Sequence, residues 1–373
     1  MIYVDNAATT KLCSEAYEAM KPYLLEEYGN ASQPCFFAKP AKKALKEARE
    51  TIASCIGSDP EEIIFTSGGT ESDNWVIKSS LFLGKKKNKI VTSQIEHHAI
   101  LNSCATVEML GVPVEYLPVD RMGIVEPGTF EQKLSDRTGL VSIMYGNNEI
   151  GTIEPIMELA GIAHAHGVLF HTDAVQTIGH VPINVHDLDV DFLSASAHKF
   201  GGPKGVGFLY IKKGMTIHPY ADGGSQERSL RAGTENIAGI VGMSAAIKRA
   251  TTRIAEEGTR LNILESTLID SLRESGLDFI RNGADNHLPG NVNLSFYEAD
   301  GEMLLHRLDL KGICISTGSA CDSVNTQISH VIKAIKVPAE YAEGTIRITF
   351  GADNTEEDAI QIAEAIIQVL RKS

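Results

Sequence analysis

Three features of this chain could together act on a carbonyl compound, and each stands where an apolar run gives way to small residues. Lys199 lies in Asp-Phe-Leu-Ser-Ala-Ser-Ala-His-Lys-Phe-Gly-Gly (191–202). A strand-like run ends there, and the lysine projects an amine into a cleft with little steric cover. A desolvated amine has a lowered pKa and attacks carbonyl carbon, as a Schiff base requires. Asp173, in His-Thr-Asp-Ala-Val-Gln (171–176), follows the apolar Gly-Val-Leu-Phe. It falls at a strand's carboxyl end, where open α/β sheets bind ligands. Phe-Thr-Ser-Gly-Gly-Thr-Glu-Ser-Asp-Asn (65–74) leaves another apolar run, turns on Gly68-Gly69 and enters a helical pattern from about Trp75. Backbone N–H groups at such a helix start, with the Thr70 hydroxyl, make an anion site suited to a phosphate.

An amine, a carboxylate able to keep a pyridine nitrogen protonated and a phosphate turn are the fixtures of a pocket for pyridoxal 5′-phosphate (PLP). Their order along the chain is phosphate turn, aspartate, lysine. That order resembles the fold-type I PLP-dependent transferases. The finer motifs resemble the cysteine desulfurases, NifS/IscS-like, of the class V aminotransferase branch. The resemblance runs nearly end to end. It takes in Tyr-Val-Asp-Asn-Ala-Ala-Thr-Thr (3–10), Gly-Gly-Thr-Glu-Ser-Asp-Asn (68–74), Glu96-His97, Asn147-Asn148, Ser196-Ala-His198-Lys199, Arg231-Ala-Gly-Thr234, Ser316-Thr-Gly-Ser-Ala-Cys321 and Thr345-Ile-Arg347.

The resemblance implies roles for these residues. Lys199 carries the Schiff base and moves the substrate α-proton, while Asp173 holds the pyridine nitrogen. Gln176 bonds the ring's phenolic oxygen, His97 stacks on the ring, and Asn148 lies near that oxygen and the substrate carboxylate. Gly69, Thr70, Ser196 and His198 hold the phosphate, with Thr234 completing the partner's site in a homodimer. Arg347 clamps the α-carboxylate through its two-toothed geometry. Cys321 sits in a polar, glycine-containing stretch that reads as an exposed flexible loop, where a thiol invites oxidation unless its reactivity is used. In the family this cysteine takes sulfur from L-cysteine as a persulfide, releases L-alanine and hands the sulfur to an acceptor protein. That sulfur serves iron–sulfur cluster assembly, other thio-cofactors or tRNA thiolation. Rival readings are a selenocysteine or cysteine-sulfinate lyase, a class V aminotransferase with no use for Cys321, and a non-catalytic dimeric interaction platform. Gly-Asn-Ala-Ser-Gln-Pro (29–34) and Ile328 depart from the family pattern, which usually has proline at the latter position.

The elements that must position these residues follow from the apolar pattern. Strand-like runs at 62–66, 88–93, 112–117, 138–144, 168–172, 191–195 and 205–211 alternate with helical patterns, which implies a mostly parallel sheet flanked by helices. This α/β organisation predicts a large PLP-binding domain over 13–255. Residues 1–12 and 256–373 then form a smaller α+β domain that carries the catalytic cysteine. A helical stretch from Ile237 to Ser275, interrupted or not at Gly258, links the two. Strands near 290–296 and 345–350 and a last helix at 355–371 complete the smaller one.

A chain of 373 residues exceeds one typical core. Its net charge of −14 argues against a direct nucleic-acid partner. No apolar run approaches the ~20 residues of a membrane helix, and no leader is visible, so a cytoplasmic location is expected. The six cysteines include no Cys-x-x-Cys pair, so neither a metal site nor a disulfide framework is expected.

Overall fold

A computed structural model describes residues 1–84, 86–317 and 328–371. Its strands, in chain order, are β1 (Ile2–Tyr3), β2 (Ile63–Thr66), β3 (Lys89–Ser93), β4 (Val114–Leu117), β5 (Thr138–Ser142), β6 (Leu169–Asp173), β7 (Phe192–Ser196), β8 (Gly207–Ile211), β9 (Phe279–Asn282), β10 (Asn291–Phe296), β11 (Ile313–Cys314) and β12 (Thr345–Thr349). Seven of them form one sheet in the order β2-β8-β7-β6-β5-β3-β4. Neighbours from β7 to β4 are parallel, and β8 runs antiparallel between β7 and β2. The carboxyl ends of β2, β3, β5, β6 and β7 therefore emerge along one edge, as expected for the mostly parallel sheet.

Alternation along the strands builds two cores on its faces. Phe65, Val91, Val141, Phe170 and Phe208 pack on one side with Ile52, Leu159 and Met243 from the helices. Ile64, Ile90, Leu140 and Leu209 pack on the other against Trp75 and Ile100. β2, β5, β7 and β8 are buried at every position, as strands covered on both faces must be. A third cluster wraps the antiparallel sheet β12-β10-β9, with Leu264 and Leu268 from the helix Ile254–Glu274 and Ile362 and Ile366 from Glu356–Leu370.

Sequence and structure differ in three places, each with a local cause. β9, half-exposed at three of its four positions, is an edge strand too short and polar to stand out. The helix at Gly68-Gly69 begins at Gly69 rather than near Trp75, because its early residues are buried through polar side chains, Glu71, Ser72 and Asp73. The long linking helix breaks at Arg253, not at Gly258. The Thr251 and Thr252 hydroxyls bond back to the carbonyls of Ile247 and Lys248, which competes with continuing the helix. An added Cβ on Gly258 would meet only Pro289, so that glycine continues the helix.

The β6–β7 connection carries a pH-dependent tie. His164 places Nδ1 3.0 Å from Asp189 and Nε2 2.9 Å from Asp191, and the Asp191 hydrogen bond heads the interactions that raise its pKa above the usual 6.5. A raised histidine stabilises the fold fully below its unfolded value, and the contribution is lost as pH rises through the folded value. His164→Gln is expected to lower the melting temperature at mildly acidic pH and to converge with the parent in alkali. Solvent screening limits the effect to at most about 1 kcal/mol. Parallel pH-dependent melting curves for the two proteins would refute this.

Candidate active site

The site is assembled at the sheet edge where the strands end. After β2 the chain turns through Gly68, whose φ of 149° and ψ of −177° lie outside the ordinary range of L side chains, directly into the helix Gly69–Ser79. Close approach explains the glycines. A Cβ on Gly69 would lie 2.5 Å from Val175 Cγ2, and one on Gly207 would lie 2.3 Å from the Ala195 carbonyl and 2.7 Å from Gly68 Cα. Ser196, at the end of β7, is buried beside this turn. Thr70 is exposed at the helix start. The turn is braced by Glu71, which accepts from the Ser67 backbone and hydroxyl and forms a two-point pair with Arg231 at 2.9 and 3.1 Å.

Gly207→Ala is accordingly expected to push the Gly68 turn out of place. Such overpacking costs about 1–3 kcal/mol. Retained PLP affinity together with an unchanged melting temperature would refute the close-approach argument.

Lys199 closes a short turn after β7 (Ala197–Lys199) and is half-buried. Its amine donates to the carbonyls of Ala7 at 2.5 Å and Ala8 at 2.9 Å. Gln176 Nε2 also donates to the Ala7 carbonyl at 2.9 Å, so the two predicted residues meet on one acceptor. His198 pairs through Nδ1 with Thr9 Oγ1 at 3.1 Å. Burial first, and then the charges of Lys199 and Lys204, push its pKa down to about 4. The N-terminal segment is thus a wall of the site. The motif at 3–10 signals its presence, but nothing in the sequence marks its carbonyls as acceptors.

Asp173 ends β6, buried, with Oδ1 accepting from the Val175 backbone at 2.9 Å. Burial raises its pKa, while Lys199 pulls the other way. His97 caps the helix His98–Met109, with Nδ1 accepting from the Ala99 backbone at 3.1 Å. That bond assigns the ring proton to Nε2. Burial, then the Lys199 charge, holds this ring neutral with a pKa near 4. His98 turns elsewhere, with its ring 4.9 Å from that of His330.

Arg347 differs from an ordinary alternating-strand arginine in being buried. Its Nη1 donates to the Asn148 carbonyl at 3.0 Å, its Nη2 pairs with Asp5 at 2.5 Å, and its Nε has no partner among the described residues. Its backbone exchanges hydrogen bonds with Ser316. Ser329 donates to Glu149 at 2.6 Å, and the His330 ring pairs with the Glu96 carbonyl at 3.0 Å. The chain therefore leaves at Ser316 and returns at Ser329 with both ends tied to residues of the site. Cys321 lies between them, outside the described residues. Thr234 is exposed on the segment that Arg231 anchors, and among the described residues it makes no hydrogen bond to the other candidate site residues. Sequence reasoning missed Asp5, Thr9, Asp73 and Glu149, whose burial or partners come from distant parts of the chain.

The donor set fits PLP. A helix N-terminus with Ser196 and His198 suits a phosphate, a buried carboxylate suits a pyridinium, and the Lys199 amine suits an aldehyde. Among the described residues no cluster of metal-ligating side chains occurs and no helix is long and apolar enough to cross a membrane.

The sequence matches the family model described as Aminotransferase class-V over residues 2–362. It is 52% identical over 375 residues to "Cysteine desulfurase IscS" of Dictyoglomus turgidum, with 99% of this chain and 95% of that protein covered. The solved structure titled "NIFS-LIKE PROTEIN" superposes with a TM-score of 0.94 at 38% identity and 100% coverage of both chains. "SspA in complex with cysteine" superposes at 0.83 with 34% identity, covering 94% of this chain and 99% of that one. A sheet with its strand ends gathered on a lysine, an aspartate and a glycine turn, and likeness of this extent, lead to one conclusion: the chain belongs to the PLP-dependent cysteine desulfurases of the class V aminotransferase family.

Proposed function

We propose that this protein converts L-cysteine to L-alanine and carries the released sulfur as a persulfide on Cys321. The carrying observation is the pair of anchors at Ser316 and Ser329, which return the Cys321-bearing stretch to Arg347 and Glu149 at the site. A relative solved in complex with cysteine supports that substrate.

PLP, when bound through Lys199, supplies an electron sink for the substrate α-carbon. The protein's residues do the rest. Arg347 and Asn148 orient the substrate carboxylate. Lys199 moves the α-proton. Asp173 keeps charge fixed at the pyridine end, and Gly69, Thr70, Ser196 and His198 hold the phosphate end. The Cys321 thiolate attacks the substrate Sγ, forming an S–S bond while the substrate Cβ–Sγ bond breaks. That bond's electron pair stays with carbon, which is protonated and leaves as alanine. A homodimer in which Thr234 reaches the partner's phosphate site, and an acceptor protein for the sulfur, complete this reading. Five described cysteines are unbridged, in keeping with a reducing compartment such as the cytoplasm.

Incubating the purified yellow protein with cysteine is expected to add one sulfur to the Cys321 peptide by mass. Cys321→Ala should keep PLP and yield neither persulfide nor alanine. Normal alanine formation in that variant would favour an aminotransferase reading.

A further inference from the structure

The reaction above makes no use of Asp73, a carboxyl buried to 1% exposure near the start of the helix Gly69–Ser79. Its Oδ1 has no hydrogen-bond partner among the described residues. A buried carboxylate oxygen left this way is costly if charged and tolerable if the group is neutral.

Its surroundings connect it to Asp173. Strand register sets Ser142 beside His171 and Ser194 beside Asp173. His171 bonds Ser142 Oγ through Nδ1 and Ser194 Oγ through Nε2, both at 2.9 Å. The same Nε2 lies 3.7 Å from Asp73 Oδ1. His171 is fully buried, and that burial holds it uncharged with a pKa near 3, so it cannot serve as a counter-ion. The titratable groups facing this space are His171 and Asp173 from β6, Glu96 from the turn before His97 and Lys199 from the turn after β7.

Two buried carboxyls that share one pocket do not both ionise cheaply. The structure indicates which one keeps the proton. Asp173 has a backbone N–H on Oδ1 and faces the Lys199 charge, whereas Asp73 has an orphaned oxygen and, among the described residues, no cation acting on it. Glu96 is held by Ser93 and the Met144 backbone on one oxygen only.

We propose that Asp73 is a positioning residue of the cofactor pocket: a neutral carboxylic acid that, through Ser194 and His171, leaves Asp173 as the anion facing the pyridine nitrogen. The inference rests on the PLP reading above. Burial and the Asp173 charge raise Asp73 well above the carboxylate range, against the Ser194 hydroxyl, in agreement with this assignment.

The infrared difference between the loaded parent protein and Asp73→Asn near neutral pH tests the protonation state directly. A protonated-carboxyl stretch lost in the variant is expected; a lost carboxylate pair overturns the proposal. Rescue tests the positioning role. Asp73→Asn, neutral and of the same shape, should keep the PLP dissociation rate within about twofold and leave the pH midpoint of the visible band in place. Asp73→Leu should speed dissociation about tenfold and move that midpoint, since a tenfold change corresponds to the loss of about one hydrogen bond. Equal damage from Asn and Leu, or none from Leu, overturns the proposal. Should the leucine variant fail to fold, Ser194→Ala breaks the same link and is expected to speed dissociation several-fold; an unaltered rate there overturns it. A parent protein that takes up no PLP would instead sink the cofactor reading, and the same infrared comparison run on the unloaded proteins would still report the protonation state of Asp73.

Discussion

Lys199→Ala is expected to leave the protein colourless after incubation with PLP and to lower alanine formation from cysteine by at least about 10⁴-fold. The reasoning starts from the position of the amine. It sits one turn past a fully buried strand and is fixed on the Ala7 and Ala8 carbonyls, close enough to Asp173 for its charge to oppose the burial that raises that carboxyl's pKa. No other lysine is so placed by the sequence motif, and the nearby Lys204 is exposed. Folding should survive the change, because Gln176 still donates to the Ala7 carbonyl. A melting temperature within a few degrees of the parent would separate lost chemistry from lost structure. A yellow band that persists in the variant would move the Schiff base to another lysine, Lys204 first, and the site would have to be rebuilt around it.

Much of the candidate site's placement was legible because its residues stand at ends of apolar runs, and apolar runs are what a sequence displays most clearly. Lys199 after Phe192–Ser196, Asp173 after Leu169–Thr172 and Gly68 after Ile63–Thr66 all follow strands that are nearly or wholly buried. The seven-stranded sheet was legible for the same reason. What escaped depended on tertiary closure. Asp5 reads as a polar residue near the chain start until β12 brings Arg347 against it. Asp73 reads as part of a helix start until β6 and β7 seal it in. Glu149 reads as a loop acid, yet it is buried and pushed up to about 7, chiefly by that burial and against the Ser329 hydrogen bond. Polar residues pack by partners that a single sequence does not pair, so their burial is invisible in it. The helix break at Arg253 escaped differently, because glycine is the stronger punctuator on paper while two threonines did the competing here.

Arg347→Ala is expected to raise the KM for cysteine by about 10²-fold, equivalent to roughly 3 kcal/mol, with a smaller effect on kcat. The structure adds a complication to the carboxylate-clamp reading that makes the result more informative. The guanidinium already holds Asp5 and the Asn148 carbonyl, and Nε is its one nitrogen without a partner among the described residues. On the clamp reading, a substrate carboxylate would share this arginine with Asp5. Removing the arginine also strands Asp5, which is 17% exposed, and breaking such a pair costs about 3–5 kcal/mol of stability. Asp5→Asn separates the two roles. It removes the competing charge while keeping the side chain's shape, so a clamp should bind cysteine as well or better in this variant, and Arg347→Ala should bind it worse. If both substitutions raise KM alike, Arg347 acts on the reaction only by holding Asp5 and Asn148 in place, and the substrate carboxylate is bound elsewhere.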